Sequence, residues 1–453
     1  MRFSIYNIPF ATNNSKYVYN TLSTAIAKLD EQTYSAILQN SLCKIPVQNI
    51  SAMQQQNFIV EDDIDEKQQY LYFYNRTRFG KSPSVFGLTL IPTYGCNLAC
   101  PYCIQGLNKT YEVISDEKLQ EILLFIDNEL KNSMKTNNPI KTVAIGLFGG
   151  EPMLCPDILI KFCQKVNLIT RKYSCSLHFT LTSNMTLLND RLIDLIQEFQ
   201  IGIQVSIDGV KEDHDKRRVK KDGTGTYDVI LNNLKKLCDT GLKHLITIRV
   251  NLDTYNIDKA EEIIQNLKPF SDDIYFAFLE VSKGKNDAFC DNCIQQETYS
   301  TYISRRLDPL LQKYNFMVTP RFGKQTPCSL NCENKFFVDY FLNVYKCELF
   351  INRLDGCVGK IENGIFIPNG KFYQQINHSP EKFKECMTCK LLPLCAGGCA
   401  AKAYISSGQQ NGCLNEKSCT YTMDDLLTYL KSYVEFIEKS KRTNSINLYP
   451  NTL

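Results

Sequence analysis

The sequence feature that most constrains the fold is an alternation of strand-like and helix-like segments from residue 88 to about 285. The strand-like segments are short, apolar and rich in β-branched or aromatic residues. They cover residues 88–94, 142–148, 176–182, 202–208, 245–251 and 274–281. In one of the amphipathic stretches between them, Leu119, Ile122 and Ile126 share a face behind the candidate cap Ser115. Six strands alternating with helices predict an α/β fold with a parallel sheet, most simply an open (β/α)6 partial barrel.

The chain on either side of this region has a different character, which predicts four segments. Residues 1–85 mix short apolar runs with polar turns and predict an α+β module, and residues 86–285 hold the barrel. Residues 286–424 have weak periodicity and twelve of the 20 cysteines, so we expect bound metal more than a hydrophobic core to organise them. Residues 425–453 hold a polar tail and most of a helix predicted over 423–439.

Composition and charge argue against several classes of partner. The chain has 51 basic and 48 acidic residues, a net charge of +3, which gives no basis for binding nucleic acid or a membrane surface. The first residues lack the apolar segment of a secretory signal, and no stretch is apolar enough to span a bilayer. We therefore expect a cytoplasmic protein whose closely spaced cysteines bind metal rather than form disulfides.

Three cysteines, Cys96, Cys100 and Cys103, lie directly after the first strand-like segment. Three thiolates on a tight loop can bind three irons of a 4Fe–4S cluster and leave the fourth iron open for a reaction. The alternative is a zinc loop, which needs a fourth cysteine or histidine close by. The next cysteine is Cys155 and the nearest histidine is His178, so the sequence favours the cluster.

This CxxxCxxC motif after the first barrel strand resembles that of the radical S-adenosylmethionine (SAM) superfamily. The resemblance implies that the cluster reduces SAM and that a 5′-deoxyadenosyl radical then removes a hydrogen atom from a substrate. It also implies SAM-binding residues at the strand ends, where barrel enzymes carry their chemistry. These are Tyr102, Gly149, Gly150, Glu151, Ser183, Asn184, Ser206, Asp208 and Arg218.

The resemblance implies a role for several of these residues. Gly149 and Gly150 admit the methionyl part of SAM close to the backbone, and Glu151 receives its ammonium group. Arg218 pairs with the SAM carboxylate, a task that suits the planar guanidinium group. Tyr102 packs near the adenine, with a purely structural aromatic ring as the alternative.

A second group of cysteines follows the pattern Cys386-x2-Cys389-x5-Cys395-x3-Cys399, which on spacing alone also fits a zinc ribbon. With further cysteines on both sides, it resembles the SPASM extension of radical SAM enzymes, which binds two auxiliary 4Fe–4S clusters. By position, the first auxiliary cluster would use Cys328, Cys332, Cys347 and Cys399. The second would use Cys386, Cys389 and Cys395, closed by Cys413, which we prefer, or by Cys419.

Three further features lie in this cysteine-rich region. The glycine usual five residues before the third SPASM cysteine is Leu342 here, so we expect the turn around Asn343. Glu348 stands where sulfatase-maturing relatives have a catalytic aspartate, which makes it the candidate base, with a solvated surface residue as the alternative. Cys290 and Cys293 form a CxxC without an evident partner pair, which disfavours a redox or metal role.

The SPASM resemblance also implies a peptide or protein substrate. Residues 1–85 resemble the leader-binding module of maturases that modify ribosomally made peptides, with a predicted strand at 17–20, a helix at 22–38 and an edge strand at 58–60. Such a module captures an extended peptide as an added strand. We therefore expect a peptide maturase, with a precursor peptide and a reductant such as flavodoxin or ferredoxin as partners.

Other functions remain open at this point. The chain could be a sulfatase-maturase-like enzyme, a small-molecule or cofactor-building enzyme, or an iron–sulfur electron carrier that does not cleave SAM. The intact Gly149-Gly150-Glu151-Pro152 motif and Arg218 argue against the carrier, which would not need a SAM site. The N-terminal module argues for the peptide substrate, unless it only covers the open side of the barrel.

Overall fold

The computed structural model describes residues 1–79, 84–106, 110–281, 302–318, 327–353, 355–406 and 419–439. The strands are β1 (Arg2–Phe3), β2 (Asn7–Ala11), β3 (Lys16–Asn20), β4 (Ile26–Leu29), β5 (Ile59–Val60), β6 (Val85–Ile91), β7 (Thr142–Leu147), β8 (Ser176–Ser183), β9 (Gly202–Ser206), β10 (Ile246–Leu252), β11 (Tyr275–Glu280), β12 (Met317–Val318), β13 (Lys335–Asp339), β14 (Asn343–Tyr345), β15 (Gly359–Glu362) and β16 (Ile365–Pro368). The α-helices are α1 (Glu31–Leu38), α2 (Val47–Gln55), α3 (Glu66–Arg78), α4 (Asp116–Ser133), α5 (Pro156–Lys172), α6 (Asp190–Phe199), α7 (Lys211–Arg217), α8 (Tyr227–Asp239), α9 (Ala260–Leu267), α10 (Asp308–Lys313), α11 (Gly370–Ile376), α12 (Lys384–Met387), α13 (Leu392–Cys395), α14 (Ala400–Ser406) and α15 (Met423–Lys439).

One large sheet contains most of these strands, in the order β12-β11-β10-β9-β8-β7-β6-β13-β14-β15-β16. Strands β6 to β11 are the six that the sequence predicts, and they lie side by side in chain order, all parallel. This confirms the α/β fold, with strand limits that differ from the prediction by a few residues. Because parallel neighbours end at the same edge, the loops after these strands meet there.

Helix α4 illustrates how the sequence forms the outer layer. The Ser115 side chain accepts a hydrogen bond from the Lys118 backbone N–H and so caps the first turn. Leu119, Ile122 and Ile126 follow on one face and are fully buried against the sheet. The helix therefore begins where the capping pattern predicts and packs by its apolar face.

The same sheet continues into the cysteine-rich region. Strand β13 pairs in parallel with β6, with Asp339 opposite Ile91, and β14, β15 and β16 follow as antiparallel strands. Phe336, Val338 and Val344 belong to the core shared with the barrel strands. The expectation that bound metal rather than an apolar core organises this region is therefore wrong for these strands, whose buried residues alternate as in an ordinary half-buried sheet.

The N-terminal residues form a three-stranded antiparallel sheet, β2-β3-β4, followed by helices α1, α2 and α3. The single helix predicted over 22–38 is wrong, because its first half is strand β4. The buried Asn20 side chain accepts the backbone N–H groups of Leu22 and Ser23 and turns the chain back onto β3. Pairing with β3 then outweighs the amphipathic pattern, and α1 begins only after Asp30 caps it.

Helix α15 covers one face of this N-terminal sheet and has the limits that the sequence predicts. Leu426, Leu430 and Val434 pack against apolar side chains of β2, β3 and β4. Lys28 on β4 pairs with Glu438 on the helix at 2.7 Å. None of the helices in the described parts of the chain is long and apolar enough to cross a membrane.

Candidate active site

A cavity of about 540 Å³ lies at the carboxyl ends of the parallel strands. It extends from the loop after β6 to the segment after β14 and to helix α14. The predicted site residues along its wall are Cys96, Cys100, Tyr102, Cys103, Gly149, Gly150, Glu151, Ser183, Asn184, Ser206, Arg218, Cys347, Glu348 and Cys399. Strand-end loops that are distant in sequence therefore line one space.

The loop with the three motif cysteines is fixed by backbone contacts. The Ala99 N–H donates to the Val219 carbonyl at 2.8 Å, and the Tyr111 hydroxyl donates to the Cys96 carbonyl at 2.6 Å. Within the described ranges, no three histidine, cysteine or acidic side chains converge closely enough to hold a single metal ion. Three thiols spread over a cavity wall fit the separate irons of a 4Fe–4S cluster better than one zinc ion.

The Gly149-Gly150 loop packs directly against the cysteine loop. A Cβ on Gly150 would lie 1.9 Å from the Gly95 carbonyl oxygen, and one on Gly149 would lie 2.6 Å from that of Thr93. The Glu151 N–H donates to the Gly95 carbonyl at 2.8 Å. The two glycines are thus required by the approach of the cysteine loop, a constraint that the sequence pattern alone does not reveal.

Glu151 is a buried carboxylate, 1% exposed, held by protein donors. It accepts hydrogen bonds from the Ser183 hydroxyl at 2.8 Å, the Asn184 N–H at 2.7 Å and the Met153 N–H at 2.9 Å. Burial raises the pKa of Glu151, although these bonds act to lower it. A carboxylate has about four acceptor positions, so one more donor, such as an ammonium group, can bind.

Asp208, also predicted as a SAM-binding residue, does not line the cavity but is fully buried behind its wall, where it contacts Tyr102, Arg218 and Asn251, which do line it. Its Oδ2 accepts a short hydrogen bond from the Tyr102 hydroxyl and lies 3.3 Å from Nη1 of Arg218. Its Oδ1 accepts the backbone and side-chain N–H groups of Asn251 at 2.7 and 3.0 Å. Burial alone would raise the pKa of Asp208, but the Arg218 and Arg217 guanidinium groups and these bonds lower it below its usual value.

Arg218 and Tyr102 therefore have partners within the protein. Nη1 of Arg218 contacts the Tyr102 hydroxyl at 2.9 Å, and the Tyr102 ring stacks under Arg217 at 4.9 Å. The Nε of Arg218 is buried without a hydrogen-bond partner. A bound carboxylate would satisfy this nitrogen, so the arrangement fits the carboxylate of SAM.

The C-terminal cysteines form two neighbouring groups. In the first, the pKa of Cys347 is raised by burial and further by the nearby thiols of Cys328 and Cys399, while Cys332 adjoins Cys328. In the second, burial raises the pKa of Cys395 and the neighbouring thiols add to it. These neighbouring thiols belong to Cys389 and Cys419. Cys386 belongs to the same group, because Cys386 and Cys395 both lie close to Tyr70. Cys413, like Cys290 and Cys293, lies outside the described residues.

A buried cation tests whether the first cysteine group suits an anionic cluster. Lys346 is 0% exposed, and its ammonium group contacts the carbonyls of Glu333 and Lys335 and the ring of Phe336 at 4.6 Å. Burial lowers the pKa of Lys346 to about 7, while the thiols of Cys332 and Cys328 oppose that shift. A 4Fe–4S cluster held by four cysteine thiolates carries a net negative charge, which would compensate the buried ammonium group, so the residues fit such a group.

The turn before Cys347 differs from the sequence expectation. Leu342 itself takes the left-handed conformation, with φ +68°, and Asn343 begins strand β14. The prediction of a turn centred on Asn343 is therefore wrong. The Asp339 side chain fixes this turn by accepting the N–H groups of Phe341 and Asn343, both at 2.9 Å.

Sequence reasoning missed an ion pair in the cavity wall. Glu280 ends strand β11, and Lys402 lies on α14, one turn after Cys399; their side chains form a short contact. Glu280 lies at the end of a strand, as do several residues that the family resemblance implied, and this position could have pointed to it. Glu348, next to Cys347 in the sequence, lines the same cavity and is exposed.

Comparisons with known proteins agree with this geometry. Residues 90–267 match the family model of the Radical SAM superfamily. The cysteine-type anaerobic sulfatase-maturating enzyme of Clostridium novyi is 23% identical over 67% of this chain and 84% of its own length. The serine-type anaerobic sulfatase-maturating enzyme of Bacteroides thetaiotaomicron is 23% identical over 76% of this chain and 89% of its own length.

Two solved structures share the fold. The anSMEcpe structure with bound AdoMet and Kp18Cys peptide covers 79% of this chain and 97% of its own, with a TM-score of 0.57 and 20% identity. Streptococcus suis SuiB bound to precursor peptide SuiA covers 93% of this chain and 100% of its own, with a TM-score of 0.52 and 13% identity. The residues that match the superfamily, 90–267, supply most of the cavity wall, including the three motif cysteines. The chain therefore contains a radical SAM domain, within a fold that it shares with these two structures.

Proposed function

We propose that this enzyme is a radical SAM peptide maturase that installs a modification in a ribosomally made peptide. The observation that carries the proposal is the cavity, which runs from the three motif cysteines to Cys347 and Glu348. Cavities of this size accommodate small ligands, and this one is open enough to admit a substrate side chain beside SAM. A simple electron carrier would not need this space.

Cys96, Cys100 and Cys103 would hold the SAM-binding 4Fe–4S cluster. When bound, the cluster supplies the electron that splits SAM into methionine and a 5′-deoxyadenosyl radical, which abstracts hydrogen from the peptide. The protein's part is to orient SAM and exclude water. Glu151 would receive the ammonium group of SAM, and Arg218, held by Asp208, would receive its carboxylate.

Further residues would complete the SAM site. The Asn184 amide lies 3.8 Å from the Cys96 thiol and 2.9 Å from Asn97, so it can fix the cysteine loop while facing the ribose. Ser183 supports Glu151, and Ser206 adds a hydroxyl at the wall. Tyr102 would pack beside SAM through its ring, since its hydroxyl is engaged by Asp208.

Two auxiliary 4Fe–4S clusters would occupy the C-terminal cysteine groups. The first would use Cys328, Cys332, Cys347 and Cys399, and the second Cys386, Cys389 and Cys395 with Cys419 as the described candidate for the last ligand. These groups support a SPASM segment at residues 286–424, next to a barrel at 86–285. Glu348 beside Cys347 would take a proton from the substrate as an electron leaves it.

The N-terminal module, residues 1–85, would bind the leader of the precursor peptide along β4. Within the described residues, β4 pairs only with β3. The Asn20 N–H donates to the Ala25 carbonyl across the β3–β4 pair. Because hydrogen-bonded and non-hydrogen-bonded residues alternate along antiparallel strands, the backbone N–H and C=O groups of Ile26 and Lys28 point away from β3. An extended peptide could add there as a fourth strand. The match to SuiB over 93% of this chain supports the module, because it must include part of these residues.

A second candidate is a sulfatase-maturase-like enzyme that modifies a folded or nascent protein. The 23% identity to sulfatase-maturating enzymes over 76% of this chain favours it. In either case the reductant would be a flavodoxin or ferredoxin, and the reaction would take place in the cytoplasm, where thiols stay reduced.

The substrate class can be tested by isotope transfer. The reconstituted enzyme receives SAM and dithionite with an extract of the source organism grown in deuterated medium, separated into peptide and small-molecule fractions. We expect deuterium in 5′-deoxyadenosine only with the peptide fraction. Transfer only from the small-molecule fraction would contradict the peptide maturase.

Variants at β4 separate the two peptide-modifying candidates. Lys28→Pro removes an outward backbone N–H, whereas Lys28→Ala removes only the ion pair with Glu438. We expect Lys28→Pro alone to lose deuterium transfer while it still cleaves SAM without substrate. Equal transfer by both variants would favour the sulfatase-maturase-like candidate, which does not use this edge.

A further inference from the structure

A buried hydrogen-bond bridge joins the loop that carries Cys96 to the segment that carries Cys347. The Tyr94 hydroxyl donates to Oδ2 of Asp339 at 2.6 Å, and the Tyr345 hydroxyl lies 3.4 Å from the same oxygen. Tyr94 lies two residues before Cys96, and Tyr345 lies two residues before Cys347. None of the three bridging side chains is more than 4% exposed.

The other end of the Asp339 carboxylate organises the hairpin of β13 and β14. Its Oδ1 accepts the Phe341 and Asn343 N–H groups, and Asn343 Nδ2 donates to Oδ2 at 3.1 Å. These bonds hold the turn in which Leu342 has φ +68°. The carboxylate therefore fixes its own hairpin and the cysteine loop at the same time.

The Tyr94 end of the bridge also supports the glycine loop of the SAM site. The Gly150 N–H donates to the Thr93 carbonyl at 3.1 Å, and the Glu151 N–H donates to that of Gly95 at 2.8 Å. A shift of Tyr94 would therefore be transmitted to the cysteine loop and to Glu151. A buried carboxylate is costly unless it is well bonded, and here five donors surround it.

We propose that Asp339 is a positioning residue that sets the separation and orientation of the SAM-binding cluster relative to the first auxiliary cluster. The inference rests on the proposed function, because it takes Cys96 and Cys347 as ligands of two different clusters. The Tyr94–Asp339–Tyr345 bridge links the two ligand segments by side-chain hydrogen bonds, next to the β6–β13 strand pairing and the ring contact of Tyr94 with Tyr340.

The test compares three full-length proteins, each reconstituted with iron and sulfide and reduced with dithionite. Tyr94→Phe removes the bond between the two segments but leaves the bonds of Asp339 to its own hairpin. Tyr340→Phe is the matched control, because its ring lies 5.1 Å from that of Tyr94 while its hydroxyl contacts Thr110 at 2.7 Å. The readout is the microwave-power saturation of the SAM-binding cluster's electron paramagnetic resonance signal, identified by its change on adding SAM.

Magnetic coupling between two reduced clusters depends steeply on their separation, so we expect Tyr94→Phe to shift the half-saturation power while iron content stays at the wild-type level. Tyr340→Phe should match the wild type. If Tyr94→Phe binds less iron than the wild type, Tyr345→Phe is tested in its place. That variant removes the 3.4 Å contact of the Tyr345 hydroxyl with Asp339 and should show the same shift in half-saturation power. Wild-type saturation in the bridge variant overturns the positioning role alone. A wild-type protein without a second cluster overturns the proposed function and this inference together.

Discussion

Replacing Gly150 with alanine adds one methyl group at the contact between the glycine loop and the cysteine loop. Its Cβ would lie 1.9 Å from the Gly95 carbonyl oxygen, and ordinary contact begins near 3.4 Å, so the loops must separate by about 1.5 Å. A displacement of ~1 Å in an active site can cost about 10²-fold in rate. We therefore expect SAM cleavage to slow by about two orders of magnitude, with a loss of stability of about 1–3 kcal/mol from overpacking.

The assay follows 5′-deoxyadenosine formation by reconstituted protein under anaerobic conditions, with iron content and thermal unfolding measured on the same samples. Gly370→Ala is the matched control, because a Cβ at this first residue of α11 meets no atom within 4 Å. We expect that variant to keep the wild-type rate. A Gly150→Ala protein with wild-type activity and stability would refute the argument that backbone approach requires glycine there.

Three other substitutions test separate parts of the account. Asp208→Asn leaves the buried Arg218 without its counter-charge and should cost about 3–5 kcal/mol in urea unfolding of the apo-protein. Because the pKa of Asp208 is lowered in the folded protein, the wild type should exceed Asp208→Asn in free energy of unfolding by the whole amount at neutral pH, and by less as the pH falls through the folded pKa. A difference that does not change with pH would contradict the pairing. Cys419→Ser should lose the iron of one cluster, whereas Cys163→Ser, in the core of α5, should not; equal iron in both would exclude Cys419 as a ligand. Exposed Gln200 has φ +49°, a left-handed conformation that costs a side chain about 1 kcal/mol of backbone strain. Gln200→Gly should relieve this strain and raise the unfolding temperature, and an unchanged temperature would show that there is no strain.

The barrel could be predicted from the sequence because its signals are local. Each strand is a short apolar run, and a helix such as α4 shows both its cap, Ser115, and its buried face, with Leu119, within one segment. The parallel arrangement predicts that the loops after the strands meet at one edge, and the resemblance to the radical SAM superfamily is what allowed Glu151, Asp208 and Arg218 to be named within those loops.

What the sequence could not show depends on contacts between distant segments. Strand β4 looks amphipathic and helical until Asn20 and pairing with β3 decide its conformation. Leu342 takes a conformation that favours glycine because the Asp339 carboxylate fixes the turn. The contact of Glu280 with Lys402 joins residues far apart in the sequence, so no local pattern could reveal it.

The most direct test of the central claim is SAM cleavage by the reconstituted protein under anaerobic conditions. Protein reduced with dithionite receives SAM, and 5′-deoxyadenosine and methionine are measured by chromatography. We predict that the wild type forms the two products in equal amounts and that the control Cys163→Ala forms as much of each as the wild type. Cys96→Ala should form neither product. A wild-type protein that carries its iron but cleaves no SAM would contradict this prediction, and so would a Cys96→Ala protein that cleaves SAM as fast as the wild type.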